Sequence, residues 1–253
     1  MIFRQFLHEQ RSCASYLVGC PTRGVAAIVD PQGDPADYES AAASHGLRIT
    51  EVIDSHVHAD HVSGARDLAD RTGATLRLGA GADVDFGFTP MSDGDVMEVG
   101  NRRIRVLHTP GHTPEHVCLL VDDWFVLTGD TLFVGDVGRV DLALQAVGDE
   151  ELRSRARQLH ASLQKLLQLP PETEVYPGHY AGSTCGRGMD GKAISTIGRE
   201  TRTNRALGLA LDEFIDFQLT NGPPMPEDFE SIKLTNVQSG NQVRLGSEEV
   251  TGE

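Results

Sequence analysis

The chain has 253 residues, 39% hydrophobic and 23% charged, which is the balance of a soluble globular protein with one large domain or one domain and an appendage. A net charge of -15 argues against nucleic acid and against an anionic membrane surface as partners. It says little about a small substrate, because a bound cation can reverse the local field.

Phe3 to Leu7, Ala14 to Val18 and Gly24 to Asp30 read as short strands, the third stopped by Asp30-Pro31. A helix is expected through Pro35 to His45, with Asp34 as N-cap and Gly46 closing it. Ile49 to Ile53 is a β-branched strand, and Val62 to Thr72 has the pattern of a helix ended by Gly73. Ala74 to Leu78, Val96 to Val99, Ile104 to His108, Val117 to Val121 and Phe125 to Thr128 follow as strands, the last two a hairpin about Asp122-Asp123. Glu150 to Leu169 has helical spacing, and Glu174 to Tyr176 is a last short strand. A Gly- and Ser-rich passage from Ala181 to Lys192 leads to a helical stretch from about Ser195 to Leu219. Pro223, Pro224 and Pro226 break it, and a polar tail follows. No segment is apolar for long enough to span a bilayer, and Met1 to Phe6 does not read as a signal peptide.

Four cysteines, Cys13, Cys20, Cys118 and Cys185, show no Cys-x-x-Cys, so reduced thiols and a cytoplasmic location are expected. Cys118 reads as a small buried hydrophobe. Cys185 lies in the Gly-rich passage beyond His179, within reach of whatever His179 serves, although a structural thiol is the preferred reading.

The densest chemistry falls between the strand Ile49 to Ile53 and the helix after it, in Asp54-Ser-His-Val-His-Ala-Asp-His-Val-Ser-Gly64. His56 and His58, two apart in extended chain, project to one side, with Asp60 and His61 at the turn that follows. Imidazole and carboxylate ligands suit zinc, ferrous iron or manganese. Three later strand ends carry a glycine followed by a ligand-type residue: Gly111-His112, Gly129-Asp130 and Gly178-His179. A residue without Cβ permits the sharp turn that aims the next side chain into a pocket. His8, His45, His108, His116 and His160 read as surface or structural, with an outer role beside the metal open for His116.

The seven positions His56, His58, Asp60, His61, His112, Asp130 and His179 match the ligand pattern of the metallo-β-lactamase superfamily, which the chain resembles. That resemblance implies an α/β fold, an αββα sandwich with a C-terminal helical segment. The catalytic domain would be residues 1–190, and residues 191–253 a helical extension and polar tail packed on it. It implies that His56, His58 and His112 face a first metal position and Asp60, His61 and His179 a second, with Asp130 between them.

Within the superfamily, three stretches resemble the persulfide dioxygenases: His56 to Gly64, with Ala59 inside the motif; Gly129-Asp130-Thr131-Leu132-Phe133 with Gly138-Arg139-Val140-Asp141-Leu142; and Ser195-Thr196-Ile197 with Thr203-Asn204-Arg205. This branch implies one Fe(II) per chain held by His56, His112 and Asp130. The ion would bring dioxygen to the sulfane sulfur of a low-molecular-weight thiol persulfide, such as glutathione persulfide, to give sulfite. Asp60, Arg139 and Asp141 are then candidate catalytic residues, the last two as an ion pair beside the site, although a purely structural pair fits equally. Tyr180 and Arg205 are candidate substrate contacts. Gly178-His179 looks more like the glyoxalase II hydrolases, and the same seven ligands could hold two zinc ions for thioester hydrolysis. A third alternative is a non-catalytic metal-binding protein. A charge-rich surface and helical C-terminus are compatible with a homodimer.

Overall fold

The computed structural model describes residues 1–142, 148–181, 185–186, 188–220 and 228–239. Among them, two six-stranded mixed sheets pack face to face. The first runs in sequence order: β1 (Ile2–His8), β2 (Cys13–Cys20), β3 (Val25–Val29), β4 (Arg48–Ile53), β5 (Thr75–Gly79) and β6 (Thr89–Met91). Its first three strands pair antiparallel, and β3 to β6 pair parallel. Parallel neighbours need a crossover, supplied by α1 (Pro35–Ser44) between β3 and β4 and by α2 (Ala65–Thr72) between β4 and β5.

The second sheet is β7 (Val96–Val99), β8 (Arg102–His108), β9 (Val117–Val121), β10 (Phe125–Gly129), β11 (Glu174–Pro177) and β12 (Ser195–Thr196). Asp122 and Asp123 both have positive φ, 49° and 53°, the left-handed geometry of the tight turn that joins β9 to β10. The parallel pair β10–β11 is connected through α3 (Asp149–Leu166), whose Ala156, Leu159, Leu163 and Leu166 are buried.

Three apolar layers make this an αββα sandwich. Between the sheets, Tyr16, Val18, Val29 and Ile53 meet Ile104, Val106, Leu119 and Phe125. On the outer face of the first sheet, Tyr38, Ala42 and Leu68 of α1 and α2 cover Leu17, Ile28 and Val52. Behind the second sheet, α3 packs with Ile197, Ala206, Phe214 and Ile215 from the C-terminal helices.

Several boundaries differ from the sequence expectation. The helix expected from Val62 starts at Ala65, because Ser63 bridges to Gln32 and Gly64 N–H is taken by Pro31 O. The continuous helical stretch from Ser195 to Leu219 is divided into β12, α4 (Ile197–Thr203), a 3-10 turn (Arg205–Gly208) and α5 (Leu211–Leu219). Asn204 breaks it: its side chain caps Ala206 N–H and its extended backbone ends α4. The polar tail contains a further helix, α6 (Phe229–Val237), that the sequence reading passed over. Pro223, Pro224, Pro226 and part of the Gly-rich passage lie outside the described residues.

Candidate metal centre

All seven ligand-type residues are buried at one end of the sandwich. His56, His58, Asp60 and His61 follow β4 of the first sheet; His112, Asp130 and His179 follow β8, β10 and β11 of the second. The strand ends of both layers therefore deliver the site. Gly111 (φ 141°) and Gly129 (φ 46°) make the turns before His112 and Asp130 in backbone that L side chains avoid. Gly178 serves differently: a Cβ there would stand 2.7 Å from Asp130 Oδ1.

His56, His112 and Asp130 each bring a ligand atom within 4.8 Å of the others. Asp130 Oδ2 lies 3.5 Å from His112 Nε2 and 4.0 Å from His56 Nε2. Outer partners fix which ring nitrogen is bare. Ser55 Oγ donates to Asp30 Oδ2 at 2.9 Å, so it must accept from His56 Nδ1, also at 2.9 Å, leaving Nε2 free. His112 Nδ1 donates to Arg139 O at 2.8 Å, which frees its Nε2. His58 Nε2 meets Asp30 Oδ1 at 3.2 Å, turning Nδ1 the other way. This carboxylate–histidine backing sets tautomer and orientation in metal sites. Burial holds the His56 and His112 rings below the ordinary imidazole range, in the neutral form that ligates.

The second group lies alongside. His179 is clasped between two carboxylates, Nδ1 to Asp130 Oδ1 at 2.8 Å and Nε2 to Asp60 Oδ2 at 2.9 Å. His61 Nδ1 reaches the same Asp60 oxygen at 3.0 Å. Burial alone would push the Asp60 carboxyl up; the rings of His61 and His179 outweigh it and hold it well below its usual range. Burial lowers both rings, but the carboxylates beside them (Asp60 for His61, Asp130 and Asp60 for His179) raise them well above theirs. Cys185 is buried and contributes a sulfur within 4.8 Å of Asp60 and His179 ligand atoms.

The donor set fits a metal. His56 Nε2, His58 Nδ1, His61 Nε2 and Asp130 Oδ2 are all buried with no hydrogen-bond partner. Each such orphan costs about 1–3 kcal/mol if left unpaired. Four on the ligand side of four ligand-type residues are what a cation cage requires, and nitrogen with carboxylate oxygen suits iron or zinc.

The other candidates from the sequence divide. Arg139 is buried and pairs bidentately with Asp141, Nε to Oδ1 at 2.5 Å and Nη2 to Oδ2 at 2.9 Å, while its carbonyl holds His112. Tyr180 follows His179, its N–H on Ser12 O at 3.1 Å beside the β1–β2 turn. Arg205 is exposed on the 3-10 turn. A cavity of about 660 Å³ opens at His61, lined among others by His8, Glu9, Arg11, Gln32 and Val62.

Most of the residues that support the ligands were not marked in the sequence. Asp30 and Asp54 flank His58, with Asp54 pushed up to about 6 by burial. His116 Nε2 accepts the Asp130 N–H at 3.0 Å, the outer role left open for it. Cys13 and Asn236 touch the cluster from β2 and α6. Nothing in the spacing of Asp30, Cys13 or Asn236 marks them, since their partners lie far along the chain.

Residues 8–179 match the family model described as the metallo-beta-lactamase superfamily. The chain is 28% identical to the mitochondrial persulfide dioxygenase ETHE1 of Bos taurus over 96% of its own length and 90% of that protein's. It is 37% identical to a hydroxyacylglutathione hydrolase of Acidiphilium cryptum over 62% of its length and 60% of the hydrolase. It spans 62% of the length of the beta-lactamase hydrolase-like protein of Agrobacterium fabrum, at 29% identity and 98% of its own length. Among solved structures, ETHE1 from Myxococcus xanthus superposes with a TM-score of 0.81 and 33% identity, covering 93% of this chain and 98% of that one. With two stacked sheets whose strand ends converge on four histidines and two aspartates beside His58, and a family match that runs to His179, the chain belongs to the metallo-β-lactamase superfamily.

Proposed function

We propose that the protein is a persulfide dioxygenase: it oxidises the sulfane sulfur of a small thiol persulfide with dioxygen, RSSH + O2 + H2O giving RSH, sulfite and two protons. The carrying observation is the grouping of His56, His112 and Asp130, two histidines and one carboxylate whose ligand atoms lie within 4.8 Å of one another. Two histidines and one carboxylate are a ligand set that would suit ferrous iron. Ferrous iron held there supplies the redox chemistry that joins dioxygen to sulfur.

The chain's own residues do the positioning. The Arg139 carbonyl and Ser55 hydroxyl keep the two rings in the ligating tautomer. The cavity at His61 opens beside the second group, with Arg11 and Gln32 on its wall as donors for a small thiol carrier. Likeness to ETHE1 over 96% of this chain and 90% of that protein, and superposition on the Myxococcus ETHE1 over 93% of this chain, support this branch. Likeness to a Bradyrhizobium hydroxyacylglutathione hydrolase over 88% of this chain, at 33% identity, supports the hydrolase branch. The second reading, a two-zinc thioester hydrolase, is favoured by the Asp60, His61 and His179 group, which can take a second ion.

Metal analysis and oxygen uptake on one anaerobically purified sample separate the two. The dioxygenase gives about one iron per chain and consumes oxygen with glutathione persulfide. Two zinc ions and rapid lactoyl-glutathione hydrolysis without oxygen uptake reverse the order.

A further inference from the structure

We propose that Cys13 is a thiolate ligand of the second metal position, which with Asp60, His61 and His179 makes a one-sulfur site for zinc or another thiophilic divalent cation. The residue opens β2 and is buried, 1% exposed. Its backbone is fixed on both sides: it pairs with His8 of β1, and it bridges to His179, with Ala14 N–H on Gly178 O at 2.7 Å. The sulfur therefore has a set place. It stands 3.2 Å from Asp60 Oδ2 and 3.2 Å from His179 Nε2. Cys13, Asp60 and His61 each bring a ligand atom within 4.8 Å of the others. His61 Nε2 is buried without a partner, so the cluster still lacks something for a nitrogen lone pair to meet.

The other strand cysteines show what a structural thiol looks like here. Cys118 lies against Thr109 Oγ1 and Thr128 O behind the second sheet, and Cys20 accepts from Asn101 N–H. Neither touches an ionisable ligand group. Only Cys13, among these strand thiols, faces both a carboxylate and an imidazole of the site.

On binding, the thiol gives its proton to solvent, the sulfur–metal bond forms, and the contacts from sulfur to Asp60 and His179 are replaced by a shared cation. Two nitrogens, one oxygen and one sulfur complete a tetrahedral zinc set. Thiolate selects against magnesium, calcium and manganese, which prefer all-oxygen surroundings. The inference stands beside either reaction, because it concerns the second position and not the group of His56, His112 and Asp130.

The test is a cobalt(II) titration of the metal-free, full-length protein under anaerobic conditions. A sulfur-to-cobalt charge-transfer band in the near ultraviolet is expected in the wild type and in Cys185→Ser, and is lost in Cys13→Ser. Zinc affinity at that position, read by competition with a chromophoric chelator, falls by about 100-fold or more in Cys13→Ser, since losing a direct ligand costs no less than losing an outer-shell partner. A wild type without a sulfur band, a Cys13→Ser protein that keeps it, or a band lost only in Cys185→Ser overturns the proposal. Should Cys13→Ser fail to fold, a band retained in Cys185→Ser still assigns the sulfur to Cys13, since Cys20 and Cys118 contact none of the ligands.

Discussion

Asn236 donates from Nδ2 to the backbone carbonyl of His61 at 2.8 Å, so the last described helix is bonded directly to the metal loop. The same nitrogen donates to His58 O at 2.9 Å, and Oδ1 accepts the Ser63 N–H, also at 2.9 Å. One carboxamide thereby satisfies three backbone groups of an irregular loop that has no ladder of its own. Asn236→Ala leaves all three unpaired and is expected to cost about 2–3 kcal/mol, near 1 kcal/mol per bond. Metal affinity should drop roughly 10- to 100-fold, as for other outer-shell losses. Asn236→Asp should be worse than alanine, because it sets a carboxylate against two carbonyl oxygens. Thermal melts of the metal-free variants and chelator competition check both statements; equal stability of wild type and alanine variant would refute the clamp.

That contact also shows where sequence reading stops. His56, His58, Asp60 and His61 were legible because one strand end carries them together, and His112, Asp130 and His179 because each follows a glycine at a strand end. Both signals are local. Asn236, Asp30 and Cys13 were not legible, since a polar side chain's partner is chosen by tertiary approach over separations of 28 to 178 residues. Strands β7 to β11 of the second sheet followed from their apolar pattern, whereas β12, Ser195–Thr196, was expected as helix, and β6, three residues containing Pro90, exists only because β5 offers it an edge. For the same reason α6 escaped notice. Its sequence, Phe229–Val237, buries only Ile232 and Asn236 and carries no strong apolar stripe.

Asp130→Ala should lose iron and oxygen uptake together, because the carboxylate belongs to the group with His56 and His112. His61→Ala should keep much of its iron, since that ring lies with Asp60 and Cys13 instead. Iron content per chain decides: a His61→Ala protein empty of iron would show that the two groups are one site.

Gly138→Ala tests the backbone that presents Asp130. A Cβ at Gly138 would stand 1.9 Å from Asp130 O, and that oxygen belongs to backbone that cannot swing aside as a side chain could. The loop must shift, at a cost of about 1–3 kcal/mol typical of overpacking. Iron content should fall well below that of the wild type while far-ultraviolet circular dichroism stays unchanged. A variant with full iron and normal melting would mean that the Asp130 turn tolerates displacement.

His116 gives the metal-free protein a specific sensitivity to acid. Its ring is fully buried, Nε2 accepts the Asp130 N–H, and Nδ1 lies 3.0 Å from Thr109 Oγ1, so a proton on Nε2 would break the first bond. Burial, with help from His112, lowers its pKa to about 3, against the ordinary imidazole value of 6.5 in the unfolded chain. Between those values the unfolded state binds the extra proton and the folded state does not. The neutral ring's contribution is therefore complete above pH 6.5 and is lost as pH falls towards 3. The slope from this one group approaches ~1.4 kcal/mol per pH unit. His116→Gln can accept the same N–H and donate to the same threonine without titrating. Denaturant unfolding of the two metal-free proteins at a series of pH values between neutrality and about 4.5 should give stabilities that converge or cross in favour of glutamine as acid is added. Parallel curves would show that His116 takes its proton without leaving its place behind Asp130.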